Sequence, residues 1–273
     1  MNEHRRAALG RYANKALSPG ALRKIIGDPA VIARTLRTLA TNRNLRTVPS
    51  EELLRGAEAF VLALGQLAPD PRRQLKINRS AATAELGELL RRHGSDKSTE
   101  HDYYQVYGSI LERKRSELLR ILEIGLGTNN LAFQSNMGLG GRPGASLRAF
   151  RDWAPRAEVI GADIDQGVLF EEDRIKTYFV DQTDPGSLAE LAGRVGAGFD
   201  LIVDDGLHLP HANLNTIKAL LPLLKSDGVM VVEDIDPLHL NYWHAAAGVL
   251  STYDTCLTER RGGWLFIIRH RGA

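Results

Sequence analysis

The sequence predicts an α/β fold, a doubly wound and mostly parallel sheet of seven strands preceded by a helical appendage. After Leu118, short apolar runs alternate with helical stretches, and each run ends in acidic or glycine residues. Strands buried on both faces have such runs, and their alternation with helices indicates a parallel sheet. Before that point, apolar residues recur every three or four positions, which is typical of amphipathic helices.

Residues 1–92 are predicted to be the helical region. The apolar spacing from Ala21 to Leu67 fits several amphipathic helices. Another helix is predicted from Ser80 to His93, because Gly94 tolerates the left-handed conformation that commonly ends helices. Residues 93–273 are predicted to form a second domain, which contains the sheet.

Five apolar runs in the second domain are predicted to be buried parallel strands. They are Leu119–Ile124, Glu158–Ala162, Tyr178–Val180, Phe199–Val203 and Val229–Val232. Two further strands, Thr252–Leu257 and Trp264–Ile268, flank a turn with two glycines and are predicted to form a terminal hairpin.

The composition excludes several classes of protein. The chain has 273 residues and one cysteine, Cys256, which excludes an internal disulfide framework and a Cys-rich zinc site. No window approaches the roughly 18 apolar residues of a membrane span. The segment Met1–Gly20 lacks the apolar core of a secretory signal. We therefore expect a cytoplasmic protein without a membrane span.

Positive charge is concentrated near the amino terminus. The net charge is +2, yet residues 1–50 contain ten Lys and Arg against Glu3 and Asp28, a local charge of +8. A solvated helical surface explains this segment, and so does an anionic partner such as nucleic acid.

The first predicted strand ends in an acidic residue followed by two glycines, in the order Glu123-Ile124-Gly125-Leu126-Gly127. Ligands of doubly wound sheets bind beyond the carboxyl ends of the strands, and glycines allow close approach of the backbone. The Glu123 carboxylate suits the ammonium group of S-adenosylmethionine and repels a pyrophosphate. A dinucleotide fingerprint also needs a third glycine, where the chain has Asn130. We therefore favour S-adenosylmethionine, with a tight turn without a ligand as the alternative.

Acidic residues also follow the second and third predicted strands. Asp163 lies where the ribose hydroxyls of such a cofactor are expected. Asp181 and Gln182 are candidates for hydrogen bonds to the adenine amino group. Each acid alone could cap a helix instead. Acids at three successive strand ends favour cofactor binding. The Gly- and Asn-rich loop Asn129–Gly144 is expected to fold over the site.

The fourth and fifth predicted strands end in clusters of carboxylates. The sequences are Asp204-Asp205-Gly206-Leu207-His208 and Glu233-Asp234-Ile235-Asp236. Neighbouring strands lie about 5 Å apart, so these carboxylates converge, and a divalent cation relieves their repulsion. Oxygen ligands without a thiolate favour Mg²⁺ or Mn²⁺ over zinc.

His208 is then a candidate base for a substrate hydroxyl. The alternative is that Asp204 and Asp205 cap the next helix and that His208 is a surface residue. We favour Asp205 over Asp204 as the ligand because it lies three residues before His208.

Together these motifs resemble the metal-dependent sugar O-methyltransferases of macrolide biosynthesis, of the mycinamicin and demethylmacrocin type, within the Rossmann-like class I methyltransferases. The resemblance covers about residues 90–236. Besides the motifs above, its residues are His93-Gly94-Ser95-Asp96-Lys97, His101-Asp102-Tyr103, Tyr107 and Gly144-Ala145-Ser146-Leu147-Arg148. It implies that Asp205, Glu233 and Asp234 bind Mg²⁺ and that His208 is the base.

Tyr103 and Tyr107 precede the first strand and are candidate walls for the cofactor or for a sugar, or else ordinary core aromatics. The expected function is O-methylation of a sugar hydroxyl on a glycan, polysaccharide or glycosylated natural product, without a nucleic-acid partner. The alternatives are an RNA methyltransferase that uses the basic segment and a non-catalytic partner with the same fold. Surplus apolar positions in the amino-terminal helices favour a homo-oligomer.

Overall fold

The computed structural model describes residues 59–66, 68–133 and 135–272. Residues 59–66 are helical. The later helices are α1 (Ala81–His93), α2 (Tyr104–Leu111), α3 (Ala145–Trp153), α4 (Pro185–Val195), α5 (Pro210–Leu220) and α6 (Leu240–Val249). No helix in these described ranges is long and apolar enough to cross a membrane. The basic segment 1–50 and most of the helices predicted between Ala21 and Leu67 lie outside the described residues.

The chain divides into two compact units. Residues 71–243 and 252–272 form the unit that contains the whole sheet, and residues 59–66, 68–70 and 244–251 belong to the other. The strands are β1 (Arg120–Ile124), β2 (Glu158–Asp163), β3 (Glu171–Glu172), β4 (Ile175–Phe179), β5 (Phe199–Asp204), β6 (Leu224–Ile235), β7 (Tyr253–Arg260) and β8 (Gly263–His270).

The strand order is β3-β4-β2-β1-β5-β6-β8-β7. The five inner strands from β4 to β6 are parallel, and the β7–β8 hairpin joins β6 in the antiparallel sense. The chain leaves β1 in one direction toward β4 and then returns to place β5 and β6 on the other side. The order therefore reverses between β1 and β5, where ligands of doubly wound sheets bind.

The structure adds one strand to the seven that were predicted and shifts two others. β3 is antiparallel to β4 and consists of Glu171 and Glu172, so it has no apolar run that could predict it. β4 begins and ends earlier than the predicted Tyr178–Val180. β6 begins at Leu224 rather than Val229, because the pairing with β5 shifts register near Phe199 and accommodates an irregular polar stretch.

Both faces of the inner strands β1, β2 and β5 are buried, as the apolar runs predict. On β1, Ile121 packs into a core cluster with residues of α1, α2 and α3. Leu122 is also fully buried but lies outside that cluster, because successive side chains of a strand point to opposite faces. α5 packs against β5 and α4. The sheet is therefore enclosed by helical layers, as in a doubly wound fold.

α1 begins and ends as predicted. The Ser80 hydroxyl accepts a hydrogen bond from the backbone N–H of Thr83 at 3.0 Å. Gly94 has φ 88° and donates its N–H to carbonyls of the last turn, so the predicted helix from Ser80 to His93 is confirmed. α1 packs against α2 and α3. The domain boundary between residues 92 and 93 stays a prediction.

The register of the parallel strands brings the predicted acidic residues to one edge. Ile124 pairs with Ala162 on β2 and Asp204 on β5, and Asp204 pairs with Val232 on β6. The residues one step beyond this row are Gly125, Asp163, Asp205 and Glu233. The expected juxtaposition of the fourth and fifth predicted strands is confirmed.

Candidate cofactor and metal site

A cavity of about 400 Å³ lies at the carboxyl ends of the parallel strands. Nine of the residues predicted for the site line it, namely Glu123, Gly125, Gly127, Asp163, Asp181, Gln182, Asp205, His208 and Asp234. The loop Asn129–Gly144 contributes Phe133, Ser135, Asn136 and Met137 to the wall. The loop therefore borders the site, and whether it covers a bound ligand stays a prediction.

The two glycines after β1 have left-handed backbones. Gly125 has φ 90°, and a Cβ there would lie 2.1 Å from the carbonyl oxygen of Asp205. Gly127 has φ 79°, and its Cβ would lie 2.5 Å from the sulfur of Met137. A side chain at either position would be strained by the left-handed backbone, and at position 125 it would also collide with the backbone of Asp205. The sequence-based reason was approach to a ligand, but the space at both is filled by the protein's own atoms.

Glu123 is buried at the end of β1 with one oxygen unpaired. Its Oε1 accepts a hydrogen bond from the Ser146 hydroxyl at 2.8 Å and lies 3.4 Å from the Lys97 ammonium. Its Oε2 has no partner among the described residues. Burial raises the pKa of Glu123 to about 7, although Lys97 opposes this shift. An unpaired buried carboxylate oxygen beside a cavity suits a ligand ammonium group.

Asp163 and Asp181 lie at the cavity but also stabilise the backbone around it. Asp163 Oδ2 accepts from the N–H of Leu126 at 2.7 Å, and Oδ1 accepts from the N–H of Asp165 at 2.8 Å. Burial raises the pKa of Asp163. Asp181 Oδ1 accepts from the N–H and the hydroxyl of Thr183. Each carboxylate keeps accepting capacity for a ligand hydroxyl or amino group.

The side chain of Gln182 makes hydrogen bonds within the protein, and its role toward the adenine amino group stays a prediction. Its Nε2 donates to Asp204 Oδ1 at 2.6 Å and to the Thr216 hydroxyl at 2.8 Å, and its Oε1 accepts from the N–H of Leu207 at 2.8 Å. Both amide hydrogens are therefore engaged within the protein. The side chain lines the cavity but mainly holds the end of β5 in place.

The two acids at the end of β5 have different surroundings. Asp204 is fully buried, and it accepts from Gln182 and, at 3.1 Å, from the Asn213 side chain on α5. Asp205 lies at the cavity. Burial raises the pKa of Asp205, but Lys97 and then His208 outweigh burial, so its pKa is lowered overall. The geometry favours Asp205 as the ligand and gives Asp204 a structural position.

Asp205, His208 and Asp234 form a cluster that fits a metal ion. One ligand atom of each lies within 4.8 Å of the others. His208 and Asp234 have φ values of 57° and 52°, which non-glycine residues seldom adopt. Such strained backbone is found where a side chain must be aimed at a ligand. The Nδ1 of His208 is buried without a partner among the described residues.

Glu233 is engaged by other side chains and lies outside that cluster. Its Oε2 accepts from the Lys97 ammonium at 2.5 Å, and its Oε1 accepts from the Tyr107 hydroxyl. Burial raises the pKa of Glu233, as does repulsion from Asp205 and Asp234, against the opposing effect of Lys97. The three carboxylates that the resemblance implies are therefore adjacent, but Glu233 is already paired with the Lys97 ammonium.

Tyr103 and Tyr107 were candidate cavity walls, and the structure places them elsewhere. Both side chains are fully buried. The Tyr103 hydroxyl donates to Asp234 Oδ1 at 2.6 Å, and Tyr107 donates to Glu233. Neither is among the residues that line the cavity. Their hydroxyl groups hold the Asp234 and Glu233 carboxylates in place from outside the cavity.

Lys97 is the functional candidate that sequence reasoning missed. It is 2% exposed, and its ammonium lies 2.5 Å from Asp205 Oδ2 and 2.5 Å from Glu233 Oε2. Burial lowers the pKa of Lys97, but Asp205 and Glu233 outweigh burial and raise it well above the usual value. It lies in a polar turn, where a lysine is ordinarily exposed. The motif that carried the resemblance includes it, but without a role.

Solved structures identify the class of fold. The chain aligns with the MycE methyltransferase from the mycinamycin biosynthetic pathway, in complex with Mg and SAH, at a TM-score of 0.56 and 24% identity over 68% of this chain and 53% of that chain. Another MycE structure, which also contains mycinamycin VI, aligns at a TM-score of 0.54 and 21% identity. This alignment covers 88% of this chain and 64% of that chain. The fold is that of a Rossmann-like class I methyltransferase, as predicted.

Curated relatives place the similarity more narrowly, among sugar O-methyltransferases. The demethylmacrocin O-methyltransferase of Streptomyces fradiae is 35% identical over 170 residues, which are 62% of this chain and 40% of the relative. The 8-demethyl-8-alpha-L-rhamnosyl tetracenomycin-C 2'-O-methyltransferase of Streptomyces olivaceus is 34% identical over 163 residues, 60% and 40% respectively. The predicted resemblance is confirmed.

The chain spans about two fifths of the length of these curated relatives. No protein-family model matches it.

Proposed function

We propose that the protein is an S-adenosylmethionine-dependent O-methyltransferase that uses a divalent cation and methylates a sugar hydroxyl of a glycosylated natural product, polysaccharide or other glycan. The observation that carries the proposal is the convergence of two unsatisfied features on one cavity. These are the unpaired Oε2 of Glu123 and the cluster of Asp205, His208 and Asp234. The similarity to sugar O-methyltransferases supports the acceptor class.

The residues at the ends of β1, β2 and β4 fit the methyl donor. Glu123 Oε2 is free to pair with the donor's ammonium group, and Asp163 and Asp181 can accept from ribose hydroxyls and from the adenine amino group. In this proposal Gln182 supports the pocket by holding Asp204.

The residues at the ends of β5 and β6 fit a cation and an acceptor. Asp205 and Asp234 would hold the cation. The resemblance implies Glu233 as a third ligand, and to serve as one Glu233 would have to share an oxygen that now accepts from Lys97 or Tyr107. When bound, the methyl donor supplies the methyl group, and Mg²⁺ or Mn²⁺ supplies positive charge that lowers the pKa of the acceptor hydroxyl. An imidazole nitrogen of His208 would accept the hydroxyl proton as the oxygen–methyl bond forms and the methyl–sulfur bond of the donor breaks, which leaves S-adenosylhomocysteine as the thioether product.

Methyl transfer to a panel of glycosides tests the proposal. Purified protein with Mg²⁺ should transfer radiolabelled methyl groups from S-adenosylmethionine to at least one glycoside, and EDTA should abolish the transfer until Mg²⁺ is restored. The matched control is the same aglycone without its sugar, which should accept nothing. Transfer that continues unchanged in EDTA would contradict the cation's role, and transfer to the bare aglycone would contradict the sugar acceptor.

A homo-oligomer and a cytoplasmic location remain predictions. RNA methylation remains the weaker alternative, because it rests on the basic segment 1–50 outside the described residues. A non-catalytic role is disfavoured because the residues of the proposed chemistry converge on the cavity.

A further inference from the structure

One ammonium group lies among carboxylates from three strands of the sheet. The Lys97 Nζ lies 2.5 Å from Asp205 Oδ2 on the β5 side, 2.5 Å from Glu233 Oε2 on β6 and 3.4 Å from Glu123 Oε1 on β1. The side chain is almost fully buried. The same charge therefore contacts the candidate carboxylate for the cofactor and two of the candidate metal ligands.

The backbone of the Lys97 turn is held by local hydrogen bonds. The turn Asp96–Ser98 follows the Gly94 cap of α1, and the Asp96 carbonyl accepts from three successive backbone N–H groups, of residues 99, 100 and 101, each at 3.0 Å. The Ser95 hydroxyl accepts from the Lys97 N–H at 3.4 Å. The lysine is thus aimed at the cluster by a turn that packs on α1.

Lys97 offsets part of the negative charge at this edge of the sheet. Glu123, Asp205, Glu233 and Asp234 converge on this edge, and Lys97 is the lysine that contacts three of them. Buried carboxylates without a counter-ion are strongly unfavourable. A divalent cation at Asp205 and Asp234 would lie close to the ammonium and be repelled by it.

We propose that Lys97 is a positioning residue, an internal counter-cation that holds Asp205 and Glu233 in place before any metal binds and that keeps metal affinity moderate. This inference rests on the proposed function for the metal site, but it concerns the protein's own charge balance. Lys97 thereby stabilises the carboxylates in the arrangement that the metal needs, and it competes with that metal for the same oxygens.

Lys97→Met tests the inference, because methionine has similar length without the charge. The metal-free variant should melt at a lower temperature than the wild type. Mn²⁺ binding is measured from the paramagnetic resonance signal of the free ion. The affinity of the variant for Mn²⁺ should be about tenfold or more higher than that of the wild type. Saturating Mn²⁺ should also raise its melting temperature by roughly 3 °C or more beyond the rise in the wild type.

Lys114→Met is the matched control. Lys114 pairs with Asp200 and Asp227 at the opposite edge of the sheet, so this variant should lose some stability while its Mn²⁺ affinity stays at the wild-type value. A Lys97 variant that binds Mn²⁺ no more tightly than the wild type would overturn the inference, because a lysine with only a packing role would lower stability without strengthening metal binding.

If the Lys97→Met variant does not fold, the double variant Lys97→Met/Glu233→Gln provides the test. Removing one carboxylate together with the cation should restore folding and part of the lost melting temperature. A double variant no more stable than the single one would overturn the inference. If only the Lys97 variant binds Mn²⁺, the cation-dependent function fails and the counter-cation role stands. If neither binds it, the inference fails, and binding of S-adenosylmethionine separately tests the methyl-donor site.

Discussion

The two edges of the parallel sheet both contain buried carboxylates near lysines, and they differ in how completely these groups are paired. At the amino edge, Asp200 accepts from the N–H of Arg120 at 2.9 Å, from Lys225 at 2.6 Å and from Lys114 at 3.4 Å. At the carboxyl edge, Glu123 Oε2 and His208 Nδ1 are buried without partners in the described part of the chain.

Incomplete pairing therefore distinguishes a functional acid from a structural one in this fold. Buried polar groups are nearly always paired, so an unpaired one beside a cavity points to a bound water, ion or ligand. The carboxyl edge also borders the cavity. At the amino edge, Asp200 is paired with protein groups that hold the ends of neighbouring strands together. Substitutions at the carboxyl edge should therefore affect activity, and substitutions at the amino edge should affect stability.

The largest effect is expected from His208→Ala. Loss of the base should lower turnover by about 10² to 10⁴-fold, while calorimetry should show unchanged binding of S-adenosylmethionine. His208→Gln serves as the companion variant, since it keeps polarity without a base at neutral pH. Mn²⁺ affinity in both variants distinguishes the two roles that the geometry permits. Unchanged affinity supports the base, and a large loss would make His208 a metal ligand instead.

A smaller effect is expected from Glu123→Gln, which should change the affinity for the cofactor and the dependence of that affinity on pH. Its pKa is raised to about 7, so at pH 6 most of the free protein carries a neutral carboxyl group. Affinity for the ammonium-bearing cofactor should be lost as pH falls through about 7 and regained as the carboxylate ionises. Glu123→Gln should bind about tenfold or more weakly at pH 8 and should lack this dependence.

Comparison of the two proteins from pH 6 to 8 cancels the titration of the ligand's own amino group. Equal pH profiles for wild type and variant would show that Glu123 does not contact the ammonium group.

The smallest effect on activity is expected at the amino edge. Asp200→Asn leaves Lys114 and Lys225 without their shared carboxylate, which should cost about 1–3 kcal/mol of unfolding free energy, measured by urea denaturation. Turnover and Mn²⁺ affinity of the folded variant should equal those of the wild type. A specific loss of turnover would show that pairing does not separate structural acids from functional ones.

Much of the fold and of the site could be predicted because strand ends carry a strong local signal. The apolar runs fixed β1, β2 and β5 to within one residue, and the acids after them line the cavity. β3 was missed because two glutamates form no apolar run. The start of β6 was misjudged because its irregular polar segment resembles a turn.

The pairing inside the site could not be predicted, because it depends on contacts distant in sequence. Lys97 contacts Glu233 across 136 positions, and Tyr103 reaches Asp234 across 131. In the sequence, Lys97 is one lysine in a polar turn and the tyrosines are aromatic residues near the expected pocket. Only the folded chain shows that all three act on the carboxylates.

Calorimetric titration shows whether the unpaired carboxyl edge binds S-adenosylmethionine. S-adenosylmethionine added to the protein in Mg²⁺ should bind at one site per chain with a Kd of about 1–100 μM, and NADH should give no heat of binding. No binding of S-adenosylmethionine at high micromolar concentration, together with saturable binding of NADH, would contradict the account.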